Sequence, residues 1–410
     1  MKIIHFADIH ARDKDIEEIE NNLNFLISSA NKEKPDLFVI PGDVFDSKNI
    51  KMGSVTALKI SELFLSLSDI APIIICLGTD SHDGLVPKIL KYIGDGGYSI
   101  YVSERPEQIA FYDGDFMSLE EWGKPGNLPP TDLSHLYSPE AIITTCPTPT
   151  KKYFQTDSSI EISNQEIGHN LGVMLAGFGV NSNNYIQPSC YKIFMGHFSV
   201  SGAKISDTQT MTGRDIEVTT QQLAATNSDV VCLGHIHKAQ KMKDNIFYSG
   251  SIYRKNYGET EDKGFYIHEK GKESRFIKVP AIKKIVIDYD WTISPEAITD
   301  DIMNLSAIED FNECKIKLNI KLWQDDVHIL DKNVIKQYFI NEGAFDCIIN
   351  LIVVPREIVR NKEVNQVEKV SEKIKVLSEN RGEEIEEGII DRIADLESGS
   401  DVNELIEKWS

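Results

Sequence analysis

Along the first 280 residues, short apolar runs alternate with stretches whose apolar positions recur every three or four residues. Ile3 to Phe6, Asp36 to Ile40, Ile73 to Leu77, Lys192 to Met195 and Val230 to Leu233 are runs of the first kind. Each passes directly into a loop rich in Gly, Asp or His, and each predicts a strand. Helical patterns lie between them. The clearest covers Asp15 to Asn31, where Ile16, Ile19, Leu23, Leu26, Ile27 and Ala30 share one face. Short strands feeding such loops, with helices between, predict an α/β architecture with its site at the carboxyl ends of the strands. From about Tyr112 to Asn184 the pattern is less regular, with Pro-rich stretches at Pro129-Pro130 and Pro147-Thr148-Pro149.

From Lys283 the periodicity changes. Lys283 to Tyr289 and Lys315 to Leu322 alternate as strands do, with a helical stretch between them (Pro295 to Leu305) and another after them (Asp331 to Asn341). Asp346 to Val354 reads as a further strand, so this part predicts a small α+β domain. Beyond Pro355 the chain is charged and helical. Val364, Val367, Val370, Ile374 and Leu377 form one stripe, Ile385, Ile389, Ile393 and Leu396 a second, and Val402, Leu405, Ile406 and Trp409 a third. Stripes this narrow cannot make a core alone. They predict docking, either on another protein or as a hairpin on their own domain. The expected divisions are 1–280, 281–358 and 359–410.

The length of 410 residues allows two or three domains, and 41% hydrophobic content suits a large core. No apolar run is long enough for a membrane-spanning helix. His5 and Asp8 make the N-terminus a strand rather than a signal peptide. The six cysteines are widely spaced without a Cys-x-x-Cys pair, which argues against zinc fingers and disulfide frameworks and for a reducing cytoplasm. The net charge of −21 argues against tight autonomous binding to a phosphate backbone, though not against phosphoester chemistry. Nucleic-acid contacts would need a local basic strip or a partner subunit.

Five loops carry the candidate chemistry: Asp8-Ile9-His10, Gly42-Asp43-Val44-Phe45-Asp46, Gly78-Thr79-Asp80-Ser81-His82-Asp83, Gly196-His197 and Gly234-His235-Ile236-His237. Singly, each is more ordinary than informative. Together they bring Asp or His to one sheet edge from five successive strands. Residues two apart on a strand point the same way, so Asp8 with His10, and His235 with His237, can aim into one cleft. Mixed imidazole and carboxylate donors suit Mn, Fe or Zn. There are more of them than one ion needs. Two ions roughly 3.5–4 Å apart would use the set and clamp an in-line displacement at phosphorus.

These loops match the pattern of the calcineurin-like metallophosphoesterases, written D-x-H, G-D-x-x-D, G-N-H-D, G-H and G-H-x-H. More narrowly, His197-Phe198-Ser199-Val200-Ser201-Gly202-Ala203, Leu233-Gly234-His235-Ile236-His237-Lys238, Tyr248-Ser249-Gly250-Ser251-Ile252 and the stretch Gly258 to Phe265 resemble the SbcD branch. That branch is the bacterial and phage counterpart of the eukaryotic double-strand-break repair nuclease, and the resemblance spans essentially the whole chain. It implies a four-layer α/β/β/α sandwich over 1–280, a small α+β capping domain over 281–358 and a helical tail over 359–410. It implies a manganese-dependent DNA exonuclease and endonuclease subunit acting in DNA end processing, repair or recombination. The implied setting is a cytoplasmic homodimer, away from membranes, whose C-terminal helices hold an SbcC-type coiled-coil ATPase.

Residue by residue, the resemblance implies that Asp8, His10, Asp43 and His237 hold one divalent ion. Asp43, as a bridge, serves the second with His197 and His235. His82 is the acid that protonates the leaving oxygen, oriented by Asp83 or another nearby carboxylate. Asp46 stands behind the ligands. One position departs from the family: where asparagine precedes the motif histidine, this chain has Ser81, with Asp80 before it. Ser81 is therefore a shorter, weaker candidate ligand, unless Asp80 or water takes that place. Two other functions stay open, a small-molecule phosphoesterase using the same metals and a non-catalytic adaptor of the ATPase. The helices near Met52 to Leu67 and Leu85 to Ile93 have apolar positions (Val55, Leu58, Ile60, Leu63, Phe64) exceeding one face, which either a homodimer or the monomer's own core would cover.

Overall fold

The computed structural model describes residues 1–93, 97–119, 139–150, 164–182, 189–206, 208–209, 216–293, 310–355, 367–382, 385–386, 388–399 and 401–409. In chain order the first elements are β1 (Lys2–His5), α1 (Ile16–Glu33), β2 (Leu37–Pro41), α2 (Val55–Ser68), β3 (Ile73–Cys76), β4 (Ile100–Ser103), β5 (Glu107–Tyr112), β6 (Asp115–Ser118) and β7 (Ala141–Cys146). There follow α3 (Asn164–Ser182), β8 (Tyr191–His197), β9 (Ser199–Val200), β10 (Glu217–Val218), α4 (Thr220–Ala224), β11 (Val230–Gly234), β12 (Gln240–Lys243), β13 (Ile246–Tyr248), β14 (Gly264–Glu269) and β15 (Arg275–Lys278).

Two sheets result. The first runs β15-β14-β1-β2-β3-β4, and the second β12-β13-β11-β8-β7-β5-β6. The strands β1 to β4 are mutually parallel, as are β7, β8, β11 and β13. Both faces of the central strands are apolar, and strand alternation divides them. Ile3, Leu37, Val39 and Ile74 meet Ile143, Ile193, Met195 and Cys232 of the other sheet in one core. Ile4, Phe38, Ile40, Ile73 and Ile75 turn the other way, onto Ile19, Leu23 and Leu26 of α1 and Ile60 and Phe64 of α2. On the far side, Phe194, Val231 and Leu233 pack on Leu171 and Leu175 of α3 and Leu223 of α4. The layers are helix, sheet, sheet, helix, as expected for the α/β sandwich. Each buried aliphatic side chain contributes roughly 1.5–3 kcal/mol.

The described parts of Tyr112 to Asn184 hold more regular structure than the sequence suggests. The described residues hold the β5–β6 hairpin, whose Asp113-Gly114 turn has φ 49° and 77° at its two positions, together with β7 and α3. The Asp-Gly pair is the available hairpin signal. Helix α3 carries Gly168, Gly172, Gly177 and Gly179, which lower helix propensity and hide it. Its close packing gives one reason for them, since a Cβ on Gly179 would stand 1.9 Å from the carbonyl oxygen of Ala225. Pro129-Pro130, the helix expected over Pro295 to Leu305, and Val364 lie outside the described residues.

The next strands are β16 (Lys283–Asp290), β17 (Cys314–Trp323) and β18 (Asp346–Val354), which form a sheet with β17 central, and α5 (Lys332–Asn341) precedes β18. Chain contacts define two compact units. One comprises Met1–Tyr289, Ala297–Ile320 and Asp331–Asn350, the other Asp290–Glu296, Lys321–Leu330 and Leu351–Ser410. In the first, Cys314, Ile316, Leu318 and Ile320 are buried on alternate positions of β17, and Phe311 meets Phe339 edge-on at 5.1 Å. In the second, Trp291 N–H donates to Lys321 O at 2.7 Å, and three helices follow: α6 (Val370–Arg381), α7 (Ile389–Glu397) and α8 (Val402–Trp409). Glu397 accepts from Ser371 Oγ at 2.5 Å, and Asp395 pairs with Lys408 at 2.8 Å. Val370, Leu377, Ile389, Leu396 and Ile406 stay exposed on this cluster. No helix among the described residues is long and apolar enough to cross a membrane. None of the six cysteines is in a disulfide, and all six are buried.

Candidate metal centre

The parallel strands deliver their carboxyl ends to one edge, where the chain leaves β1 and β2 side by side. Asp8 N–H donates to Gly42 O at 3.1 Å, His10 N–H to Asp43 O at 2.9 Å and Ala11 N–H to Val44 O at 2.9 Å. Asp8, His10, Asp43 and His235 adopt left-handed φ of 53°, 44°, 53° and 91°. Such backbone is uncommon outside glycine and costs of order 1–3 kcal/mol per residue, and strain of this kind gathers at functional sites. Glycine permits the closure of the loops: a Cβ on Gly78 would stand 2.1 Å from Asp43 Oδ1.

Among the described residues, ligand atoms converge within 4.8 Å in three sets here: Asp8–His10–His237, Asp8–Asp43–His197 and His10–Asp46–His82. His10 Nε2 faces His237 Nε2 at 3.0 Å, with Asp43 Oδ2 at 3.6 Å and Asp8 Oδ1 at 4.0 Å. His197 Nε2 lies 3.3 Å from Asp43 Oδ2, and its Nδ1 donates to Pro41 O at 2.8 Å, which turns Nε2 toward the carboxylate. His235 lends its backbone N–H to both oxygens of Asp8, at 3.0 and 3.1 Å, and lays its ring on His197 at 5.3 Å.

Two buried carboxylates, Asp8 and Asp43, favour positive charge beside them. Burial works against a charged His197, yet Asp43 outweighs it and raises the imidazole to about 9. Burial likewise opposes the Asp43 carboxylate, which His197 and His10 nevertheless hold below the usual carboxylate range. Burial lowers the pKa of His10 and His237, favouring the neutral form that a metal ligand needs. His237 Nδ1 is buried without a hydrogen-bond partner. The donor set therefore fits divalent cations, and nitrogen with oxygen suits Mn, Fe or Zn.

Asp46, expected to stand behind the candidate ligands, has its Oδ1 3.4 Å from His10 Nδ1 and 2.6 Å from Lys255 Nζ, and its Oδ2 accepts from Arg12 Nη1 at 3.3 Å. A carboxylate on the outer nitrogen of a ligand imidazole fixes its orientation. Lys255 is not legible from sequence, because nothing local marks a lone cation that reaches the site from elsewhere in the chain, and Arg12, two residues past His10, is not singled out by the motif pattern. His82 stands at the rim, 29% exposed, edge-on to His10 at 4.7 Å.

Two expectations change. Asp83 does not orient His82; its carboxylate accepts from the backbone N–H groups of Asp43 (2.8 Å), Gly78 (2.9 Å) and Phe45 (3.0 Å). Burial, then the nearby Asp43, push its carboxyl up to about 7. The residue beside His82 is Asp46, whose carbonyl lies 2.9 Å and whose carboxylate Oδ1 lies 3.9 Å from Nδ1, so the nearby carboxylate is that of Asp46. Nor does Ser81 face the carboxylates: it is exposed, and so is Asp80, which pairs with Lys48 at 2.7 Å. Thr79 stands there instead, its N–H 2.7 Å from Asp43 Oδ1 and its hydroxyl 3.5 Å from Asp43 Oδ2 and 3.4 Å from His197 Nε2. The reason is geometric: the residue next to Gly78 meets Asp43, whereas Asp80 and Ser81 swing outward before the chain returns at His82.

A second His-rich group, His5, Cys232 and His268, lies buried between the sheets. Ser274 Oγ lies 2.7 Å from His268 Nδ1, His268 Nε2 lies 3.3 Å from His5 Nδ1, and His5 Nε2 lies 3.2 Å from Leu233 O. One hydrogen-bonded chain thus accounts for every ring nitrogen.

The Calcineurin-like phosphoesterase family matches residues 1–239, more than half of the chain, and the chain belongs to that family of metal-dependent hydrolases. Two curated relatives both carry the name of the SbcD component of the SbcCD nuclease. The protein from Staphylococcus saprophyticus subsp. saprophyticus is 26% identical over 302 residues, covering 70% of this chain and 71% of its own length. That from Staphylococcus epidermidis is 25% identical over 281 residues, 65% of each chain. A solved dimetal phosphatase from Danio rerio aligns with a TM-score of 0.38 and 10% identity, over 68% of this chain and 99% of its own.

Proposed function

We propose that this chain is a manganese-dependent DNA exonuclease and endonuclease, the nuclease subunit of an SbcCD-like assembly that processes DNA ends in repair or recombination. The observation that carries the reading is a buried Asp and His nest with one part-exposed imidazole, His82, at its rim. Asp8, His10, Asp43 and His237 would hold one ion; Asp43, His197 and His235, with Thr79 alongside, would hold the other. Bound there, the ions supply Lewis-acid activation of water and neutralise charge at the phosphate. The chain's own residues do the rest. Asp46 fixes His10 and the Asp46 carbonyl holds His82 Nδ1, so that protonated Nε2 can give its proton to the leaving oxygen. Asp83 ties the backbone of the second and third loops together.

In this reading 1–280 is the nuclease domain, 281–358 caps it, and 359–410 binds a coiled-coil ATPase. The exposed apolar side chains of α6, α7 and α8 support that last assignment. The charge of −21 makes a partner supplying DNA contacts the natural arrangement. Homodimerisation is read from α2, where Ile60, Leu63 and Phe64 are spent on the core, while Val55 and Leu58 are 61% and 55% exposed. Leu58→Glu is expected to shift the chain from dimer to monomer in analytical ultracentrifugation, with the circular dichroism spectrum of the folded chain retained. An unchanged mass would remove that helix from the interface.

The test of the activity is incubation with manganese of linear DNA, hairpin DNA and small phosphoesters, with and without the ATPase partner. Cleavage of DNA in preference to mononucleotide esters supports the reading. Turnover of small esters alone would favour the small-molecule phosphoesterase. No turnover of any substrate with both ions bound would favour the adaptor.

A further inference from the structure

Behind the ligand loop lies an ion cluster that the proposed reaction does not use. Lys263 has a fully buried side chain, as has Glu259, and the two meet at 2.6 Å. The Lys263 ammonium also contacts Glu261 Oε1 at 2.9 Å, Ser251 Oγ at 3.0 Å and the backbone carbonyl of His237 at 3.1 Å. Glu259 is fixed in turn, because its Oε1 accepts from Asn256 N–H at 3.0 Å. A buried ammonium is tolerated only when paired and fully hydrogen-bonded, and this one is. Of the acceptors around it, one belongs to a proposed metal ligand, whose carbonyl also takes Ser251 N–H at 3.1 Å. The next loop is equally confined there, since a Cβ on Gly250 would stand 2.7 Å from the same oxygen.

We infer that Lys263 is a positioning residue for the metal centre, whose buried ammonium fixes the His237 backbone and so sets the aim of the His237 imidazole at His10 and Asp8. The inference rests on the reading of His237 as a ligand. Partners that orient a ligand from behind typically change metal affinity about 10–100-fold when removed. The four contacts leave Lys263 no freedom to act on substrate, so its effect reaches the reaction only through His237.

The test is calorimetric titration of Mn2+ into the ion-free full-length protein, for wild type, Lys263→Met, the double variant Glu259→Gln with Lys263→Met, and His237→Ala. The double variant matters because Lys263→Met alone strands a buried carboxylate. Circular dichroism and melting curves identify the folded variants, and Mn2+ electron paramagnetic resonance reports whether two coupled ions are held. Folded Lys263 variants are expected to bind one of the two ions about 10–100-fold more weakly, with loss of the coupled signal. Wild-type affinity and coupling in either folded variant would overturn the inference, as would failure of both to fold, which would make Lys263 a residue of the fold alone. If His237→Ala loses an ion while the folded Lys263 variants keep both, only the role of Lys263 falls. If His237→Ala also keeps both, the ligand assignment itself falls.

Discussion

Asp43→Asn is expected to lose metal binding and turnover together while the chain stays folded. Asp43 lies within 3.3 Å of His197, within 3.6 Å of His10 and 2.7 Å from Thr79 N–H, and no other carboxylate among the described residues joins those three groups. Asparagine keeps the left-handed backbone, which it tolerates better than most residues, and keeps an oxygen for the Thr79 N–H. It removes the charge that balances cations at both proposed sites. Neutralising Asp43 relieves repulsion with buried Asp8 and Asp83 but also removes the partner of His197, so the ion-free variant is expected to stay folded with a modest loss of stability. Ligand binding raises stability by mass action, about 2.7 kcal/mol at a hundredfold excess over the dissociation constant. Wild type should therefore melt several degrees higher with manganese, and Asp43→Asn should show no such rise. A manganese-dependent rise equal to that of wild type would contradict the bridging role.

His82→Ala is expected to do the opposite, keeping both ions and losing turnover by about 10²–10⁴-fold, the usual contribution of a positioned acid. Its Nδ1 is bound to the Asp46 carbonyl and its ring meets His10 edge-on, so it supports the nest only from outside. The loss should fall on kcat with KM little changed, since an acid that acts in the transition state adds nothing to ground-state binding. The same geometry makes the experiment discriminating. His82, His10 and Asp46 also bring ligand atoms within 4.8 Å of one another. Loss of an ion in His82→Ala would turn His82 from acid into ligand.

The layout of this site is legible because its residues follow short apolar strands directly. A strand buried on both faces announces itself as an unbroken apolar run, and the first polar residues after it stand at the sheet's edge. Ile73 to Leu77 followed by Gly78 is one such junction. What lies beyond that rule escapes the sequence for physical reasons. Counting back from His82 points to Ser81 rather than Thr79, whereas the packing of Gly78 on Asp43 decides which side chain faces the site. Lys255 and Lys263 reach His10 and His237 across more than 240 and more than 20 positions of chain, which no local pattern records. Helix α3 is hidden by the glycines that let it pack closely on the α4 region, so tertiary contact there overrides propensity.

The most direct test of a two-ion phosphoesterase centre is the stoichiometry of Mn2+ bound to the ion-free protein, read by calorimetry and checked by elemental analysis after desalting. Two ions per chain are expected in wild type and in His82→Ala, with neither retained tightly in Asp43→Asn. One ion or none in the wild type, or two retained by Asp43→Asn, would contradict it.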